Sequence, residues 1–334
     1  MKKTILVTGA AGFVGSHLAE AFLRRGDRVV GLDNLNAAYA PALKRANLAG
    51  VQDAAQEPGQ WEFVQGDIRD VSLVERLFGE NAFDVVAHLA AMTGVGISIE
   101  DPHLYYDVNL LGTLNLLNAA KQHLVGNFVF ASTCTTYGNT RSIPFDETDV
   151  CDRPLAPYPA SKRAAEILGF TYHHLYSLNF TALRFFTVYG PRNRPDGMAY
   201  KVAESICQKK KVRLYRKGQM HRDWIHVADL VRGIVAAADR PLGYEIVNLG
   251  RGEPFLVADF VERIEKYSGC QALLIPALLP DMDIPCAFAN IDKARRLFDF
   301  QPSVAAEEGI DDFWQWFQGN AQVQTEPMHM ACCE

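Results

Sequence analysis

Residues 4–15 read TILVTGAAGFVG, the most informative segment of the chain for its fold class. Its first four residues are apolar or β-branched and predict a buried strand, and three glycines spaced three apart then predict a tight turn into a helix. Such glycines let a pyrophosphate approach the amides of the helix N-terminus. The predicted ligand contacts of this loop are Gly9, Gly12, Phe13, Val14 and Gly15.

The first half of the chain alternates short β-branched runs with longer helix-period segments, as parallel βαβ units require. Strands are predicted at 4–7, 28–32, 63–65, 85–88, 128–131 and 181–184, and the longest helices at 13–25, 102–123 and 158–175. This order predicts an α/β fold, a Rossmann-type doubly wound parallel sheet with helices on both faces.

Beyond residue 190 the pattern breaks into shorter pieces, with a predicted hairpin at 212–218, a helix at 227–238 and a late strand at 245–249. We therefore expect a dinucleotide-binding domain over 1–189, joined again by the late strand. Residues 190–320 then form mainly a smaller C-terminal α/β cap that binds substrate. Residues 321–334 carry no periodic pattern and are expected to be a mobile tail.

The amino-acid composition limits the kinds of molecule that the chain is expected to bind. Lys and Arg total 33 against 39 Asp and Glu, a net charge of −6, which offers no general attraction to nucleic acid or anionic lipid. The seven cysteines lack metal-ligand spacing, so no metal is expected. No apolar run approaches the roughly 20 residues that span a bilayer. We expect no membrane partner and a cytoplasmic location.

The residues after the next strands predict which cofactor is bound. Asp33 follows the second strand, where a carboxylate accepts hydrogen bonds from the adenosine ribose and repels a 2′-phosphate, so NAD is favoured over NADP. Ligands of an open parallel sheet lie at the carboxyl ends of its strands. The further predicted contacts there are Asn34, Asp67, Ile68, Leu89, Ala90 and Ala91.

The spacing of Tyr158 and Lys162 indicates the type of reaction. Four residues apart on a helix, they lie on one face, and a nearby cation is expected to lower the pKa of the phenol. The phenol then takes a proton from a sugar hydroxyl while hydride leaves the same carbon for NAD. Both residues are also predicted to contact the cofactor.

The segments TGAAGFVGSH, LD, GDIRD, HLAA, FASTCTTYG, YPASK and RFFTVYGPRNRPD, in this order, resemble the extended short-chain dehydrogenase/reductases. The resemblance covers roughly residues 3–317 and is to the NAD-dependent nucleotide-sugar epimerases in particular. It implies that Thr133 joins Tyr158 and Lys162 in catalysis. It also implies a homodimer built on a four-helix bundle from helices 102–123 and 158–175.

Two neighbouring positions favour epimerisation within that family. Related dehydratases and decarboxylases carry acids just after the catalytic Ser or Thr, whereas this chain has Cys134 and Thr135. The resemblance therefore implies a UDP-sugar 4-epimerase, in which oxidation at C4 gives a 4-keto sugar and hydride returns to the opposite face.

The segment 193–196, NRPD, resembles that of uronate 4-epimerases, so UDP-glucuronate and UDP-galacturonate are the expected pair. By this resemblance Arg194 faces the sugar carboxylate, Arg222 grips the diphosphate and Tyr215 borders the base. Thr93, Thr133 and Thr187 complete the expected substrate contacts.

Departures from the uronate pattern keep other functions open. Gly96 and Ile97 stand where those enzymes usually carry Arg and Tyr, and residues 282–284 read Met-Asp-Ile rather than Gly-Asp-Val. UDP-glucose and UDP-N-acetylglucosamine therefore remain alternative substrates. A net dehydrogenase or reductase, and a non-catalytic nucleotide-binding regulator, remain alternative functions.

Overall fold

The computed structural model describes residues 2–320, so the predicted mobile tail at 321–334 lies outside the described residues. The strands are β1 (Thr4–Thr8), β2 (Arg28–Asp33), β3 (Trp61–Gln65), β4 (Val85–His88), β5 (Asn127–Thr133), β6 (Phe180–Phe185), β7 (Thr187–Tyr189), β8 (Lys211–Tyr215), β9 (His221–His226), β10 (Tyr244–Leu249), β11 (Pro254–Leu256), β12 (Leu273–Ala277) and β13 (Cys286–Ala287). The helices are α1 (Phe13–Arg25), α2 (Pro41–Asp53), α3 (Val71–Glu80), α4 (Ile97–Glu100), α5 (Pro102–Tyr106), α6 (Gly112–Gln122), α7 (Pro157–Tyr176), α8 (Met198–Cys207), α9 (Val227–Asp239), α10 (Val257–Ser268), α11 (Asp292–Phe298) and α12 (Ala306–Gly319).

Seven parallel strands form the main sheet, in the order β10-β6-β5-β4-β1-β2-β3. Side chains alternate across a strand, so Ile5 and Val7 of β1 pack on one face, in a core shared with α1 and α9. Leu6 packs on the other face, in a core shared with α3, α6 and α7. Helices therefore cover both faces, which confirms the predicted doubly wound fold. Within residues 2–320 no helix combines the length and the apolar character needed to cross a bilayer.

One local prediction is wrong and another is refined. The helix predicted at 102–123 forms as one helical run from Pro102 to Gln122, in which the π-helical segment Asp107–Leu111 lies between α5 and α6. The hairpin predicted at 212–218 does not form, because β8 ends in a short 3₁₀ turn and pairs in parallel with the distant β12. The alternating side chains of 211–215 do not specify whether the partner strand is sequential or remote.

The later part of the chain has its own core under the carboxyl edge of the sheet. Strands β7, β11 and β13 all pair with β9, and helices α8, α10 and α12 pack beside them. The ring of Trp224 stacks on Phe260 at 4.6 Å between centroids, and Phe313 lies against Phe260 at 6.2 Å. These aromatic contacts hold β9 against α10 and α12.

Gly169 tests how closely α7 packs on the sheet. A Cβ added there would lie 2.3 Å from the ring of Phe180, so Gly169→Ala is expected to lower the free energy of unfolding by about 1–3 kcal/mol. The control is Gly79→Ala in α3, where a Cβ meets no atom within 4 Å and no loss is expected. Urea unfolding of both variants checks this. Equal stabilities would contradict the close packing.

Candidate active site

A cavity of about 450 Å³ opens at the carboxyl edge of the sheet, where strand order reverses between β1 and β4. Such a reversal point is where open parallel sheets bind ligands. All the predicted cofactor contacts line this cavity: Gly9, Gly12, Phe13, Val14, Gly15, Asp33, Asn34, Asp67, Ile68, Leu89, Ala90, Ala91, Tyr158 and Lys162. Their roles as contacts stay predictions.

The glycine loop packs too closely for larger residues. Gly9 has φ +71°, and a Cβ on it would lie 2.8 Å from the amide nitrogen of Ala90. A Cβ on Gly15 would lie 2.0 Å from the carbonyl oxygen of Gly9. The first turn of α1 has no side-chain cap, so its amides are available to an anionic ligand. This loop fits a dinucleotide pyrophosphate.

Two carboxylates are fixed at neighbouring strand ends. Asp33 accepts hydrogen bonds from the backbone amides of Ala11 at 3.2 Å and Leu35 at 2.8 Å. Asp67 is held by Arg69 at 2.8 Å and by the side-chain amide of Asn34 at 2.9 Å. The hydrogen bonds from Arg69 chiefly lower the pKa of Asp67, to about 2. Both acids are held by these hydrogen bonds and line the cavity.

The three predicted catalytic residues meet at the same cavity. Thr133 ends β5, and its hydroxyl lies 2.9 Å from that of Thr135. Tyr158 lies in the first turn of α7, one turn before Lys162. Lys162 is buried, with its ammonium 4.0 Å from the centre of the Phe130 ring. This places a phenol, a hydroxyl and an ammonium around one space.

The expectation that Lys162 lowers the pKa of Tyr158 is wrong for this arrangement. Burial raises the pKa of Tyr158 to about 12, and the charge of Arg194 and then the Thr133 hydroxyl oppose that rise. Burial also lowers the pKa of Lys162 to about 7, with Glu166 opposing. Desolvation disfavours the charged form of each group. This effect is larger than any stabilisation of charge that the groups gain from lying four residues apart.

A chain of buried hydrogen bonds joins the cofactor loop to the π-helical segment. The Thr8 hydroxyl accepts from the amides of Leu89 and Ala90, so it donates its own hydrogen to Nδ1 of His88 at 2.7 Å. His88 Nε2 then donates to Thr113 at 2.9 Å, and Thr113 donates to the carbonyl of Asn109 at 2.7 Å. Neutral His88, protonated at Nε2, satisfies this whole chain.

The side chain of Asn109 extends the connection to the catalytic helix. It donates to Ser161 at 3.0 Å and accepts from the amide of Met92 at 2.8 Å. Ser161 in turn donates to the carbonyl of Tyr158 at 2.8 Å. These hydrogen bonds therefore fix the position of the cofactor loop relative to the backbone of Tyr158.

The burial of His88 predicts that mild acid destabilises the fold. Burial lowers the pKa of His88 well below the value near 6.5 in the unfolded chain, so the unfolded state binds a proton that the native state excludes. The stability that depends on neutral His88 is fully present above pH ~6.5. As the pH falls to ~5.5, the free energy of unfolding decreases by about 1.4 kcal/mol. Urea unfolding at pH ~7.5 and ~5.5 measures it.

The matched variants are His88→Gln and, as a control at an exposed position, His103→Gln. Between the two pH values we expect the free energy of unfolding to decrease by about 1.4 kcal/mol less in His88→Gln than in wild type. His103→Gln is expected to follow wild type. An unchanged pH dependence in His88→Gln would show that His88 is not the group excluded from protonation.

The predicted substrate contacts divide into two groups. Thr93, Thr133 and Arg194 line the cavity. Arg194 forms a bidentate ion pair with Asp196, at 2.9 and 2.8 Å, so its guanidinium is already engaged.

Thr187, Tyr215 and Arg222 do not belong to the cavity wall. Thr187 pairs with Trp224 across β7 and β9, and Arg222 forms an ion pair with Asp283 at 2.7 Å. The charge of Arg222 opposes the burial that raises the pKa of Cys134 to about 12, so that thiol stays protonated. The substrate roles of these three residues stay predictions.

The sequence did not predict several residues of the cavity wall. They are Asn36, Tyr39, Lys44, Tyr105, Asn193 and Asp196. Asn36, Tyr39 and Lys44 lie in a loop or in α2, outside any motif, whereas Asn193 and Asp196 belong to the NRPD segment without a role having been predicted for them. One signal was available, because Asp196 follows Arg194 by two residues, the spacing of a local ion pair.

The chain belongs to the NAD dependent epimerase/dehydratase family, whose model matches residues 5–250. A UDP-glucuronate 4-epimerase of Thermodesulfobacterium geofontis is 38% identical over 319 residues, covering 95% of this chain and 97% of that protein.

Two solved structures have the same fold. The UDP-glucuronic acid 4-epimerase of Bacillus cereus, in complex with UDP-glucuronic acid and NAD, is similar with a TM-score of 0.87 and 31% identity, over 95% of this chain and 99% of that one. The UDP-glucose 4-epimerase of Thermotoga maritima, with UDP-glucose, is similar with a TM-score of 0.85 and 28% identity, over 95% and 99%.

Proposed function

We propose that the chain is an NAD-dependent UDP-glucuronate 4-epimerase that interconverts UDP-glucuronate and UDP-galacturonate. One observation carries this: a single cavity joins the dinucleotide loop, Asp33, the pair Tyr158 and Lys162, and Arg194. The relatives named UDP-glucuronate 4-epimerase support the choice of sugar.

In this proposal the glycine loop and Asp33 hold NAD, which supplies the hydride acceptor and donor at the sugar C4. Tyr158 takes the proton from O4 and later returns it. Burial raises the pKa of Tyr158 to about 12. The charge of Arg194 and the Thr133 hydroxyl oppose this rise and so assist the ionisation of the phenol. Lys162, whose pKa burial lowers to about 7, is suited to exchange protons at neutral pH.

The loop after β5 supports epimerisation over elimination. The Thr135 hydroxyl and amide both contact the Thr133 hydroxyl, at 2.9 and 3.2 Å, and Cys134 is held as a neutral thiol. Neither side chain supplies a carboxylate to expel water or to assist the loss of carbon dioxide. The residues are therefore suited to reversible proton transfer alone.

Tyr158→Phe tests the mechanism. The variant keeps the ring but cannot take the proton, so kcat for UDP-glucuronate is expected to fall by about 10²–10⁴-fold. NMR detection of UDP-galacturonate measures this, with thermal unfolding to verify the fold. Tyr267→Phe in α10 is the control and should keep wild-type turnover. Full activity in Tyr158→Phe would refute the assigned role.

The same assay decides the substrate. UDP-glucuronate, UDP-glucose and UDP-N-acetylglucosamine are compared side by side, without added NAD. We expect turnover of the uronate at the highest kcat/KM. The Thermotoga maritima neighbour supports UDP-glucose as the second candidate, and faster turnover of UDP-glucose would favour it. Net accumulation of reduced cofactor would instead indicate a dehydrogenase.

We also propose a homodimer built on α5, α6 and α7. Apolar side chains are exposed along this surface, among them Leu111 at 50% and Phe170 at 51%. Clustered exposed apolar groups are typical of protein interfaces. Helices α5 and α7 pack beside each other in one subunit, so their outer faces form one surface for the same helices of a second copy.

Phe170→Glu tests the dimer. A charge buried in an apolar interface is unfavourable, so the variant is expected to be a monomer by light scattering while wild type is a dimer. Leu278→Glu is the matched control, because Leu278 is 93% exposed on a loop away from these helices. A dimeric Phe170→Glu would exclude this surface.

The domain division is likewise a proposal: residues 1–189 bind NAD and 190–320 mainly bind substrate. The separate core around Trp224 and Phe260 supports it. The free thiols of Cys134, Cys151 and Cys207 are consistent with a reducing compartment, so we retain a cytoplasmic location as a proposal.

A further inference from the structure

A buried lysine lies beside the acid that is expected to select the cofactor. Lys44 of α2 is 5% exposed, and its ammonium donates to the side-chain oxygen of Asn36 at 2.9 Å. It lies 3.7 Å from Oδ1 of Asp33 and 5.1 Å from the centre of the Tyr39 ring. All four side chains line the cavity.

The ammonium has donor capacity to spare. A lysine carries three donors, and only the contact with Asn36 has the length of a full hydrogen bond. Burial lowers the pKa of Lys44, chiefly opposed by Asp33, which favours its charge. The Tyr39 hydroxyl is also buried, with no hydrogen-bond partner among the described residues. Two donors therefore converge on this corner of the cavity.

Asp33 offers less excess negative charge than its sequence position suggests. Its two oxygens already accept from the amides of Ala11 and Leu35. With Lys44 beside it, the corner carries one negative and one positive charge, and the more distant Arg194 and Asp196 form their own pair. A lone acid repels a 2′-phosphate, and the ammonium beside Asp33 reduces this repulsion without removing it.

We propose that Lys44 is a cofactor-selectivity residue: its ammonium offsets Asp33 and can pair with a 2′-phosphate, so the chain carries a latent NADP site that Asp33 alone holds closed. The proposal rests on the proposed function only in that this cavity binds NAD. An ammonium and a phosphate form a charge-assisted hydrogen bond, whereas a ribose hydroxyl gains less from the same group.

The test is a competition between NADH and NADPH for the full chain without sugar, read by native mass spectrometry, which separates the two complexes by one phosphate group. Lys44→Gln is expected to raise the NADH preference at least about tenfold, because only NADPH loses an ion pair. Lys44→Arg should keep the wild-type ratio. Arg45→Gln, one residue along and exposed, removes the same charge outside the cavity and should stay within about twofold of wild type.

Asp33→Ser gives an independent measurement if Lys44→Gln does not fold. It leaves Lys44 uncompensated and is expected to shift the ratio towards NADPH by about 100-fold. Adding Lys44→Gln to it should remove most of that shift.

The proposal is overturned if Lys44→Gln weakens both nucleotides equally, or if Asp33→Ser gains no NADPH. Either result with intact NADH binding leaves the epimerase function standing. A wild-type chain that binds neither nucleotide would instead refute the proposed function itself.

Discussion

The hydrogen bond between Thr8 and His88 fixes the site, because it ties together the ends of the two central strands. Thr8 also accepts from the amides that follow β4, so the glycine loop cannot shift without breaking three bonds at once. The far side of His88 leads through Thr113 and Asn109 to the helix that carries Tyr158. An unpaired member of such a buried chain would cost about 1–3 kcal/mol, so its members act as a unit.

The catalytic pair is governed by desolvation rather than by mutual attraction. Burial moves the pKa values of Tyr158 and Lys162 in opposite directions, to about 12 and about 7, and so favours neutral forms of both. The assisting charge on Tyr158 comes from Arg194, which is partly neutralised by Asp196. Proton transfer at this phenol is thus coupled to the residue expected to meet the sugar carboxylate.

The sequence predicted the structure best where a motif coincides with the hydrophobic periodicity of a strand or helix. The strands of the doubly wound sheet, the glycine loop and the pair Tyr158 and Lys162 followed from local patterns, because strand ends of a parallel sheet meet at one edge. The position of Thr133 followed from the family resemblance. The hairpin at 212–218 failed because pairing in parallel with β12 depends on contacts about 60 residues away. Lys44 was missed because its significance lies in distances to Asp33 and Asn36, which no spacing encodes.

The position of β10 affects how the chain is made. This strand completes the sheet beside β6, yet it follows α8, β8 and β9, which form part of the second core. During synthesis the outer edge of β6 therefore stays unpaired until residue 249 has left the ribosome, and an open strand edge is a template for aggregation. Val247 and Leu249, fully buried in the finished sheet, are among the last to join that face. The nascent chain therefore has this aggregation-prone edge open from the synthesis of β6 until that of β10.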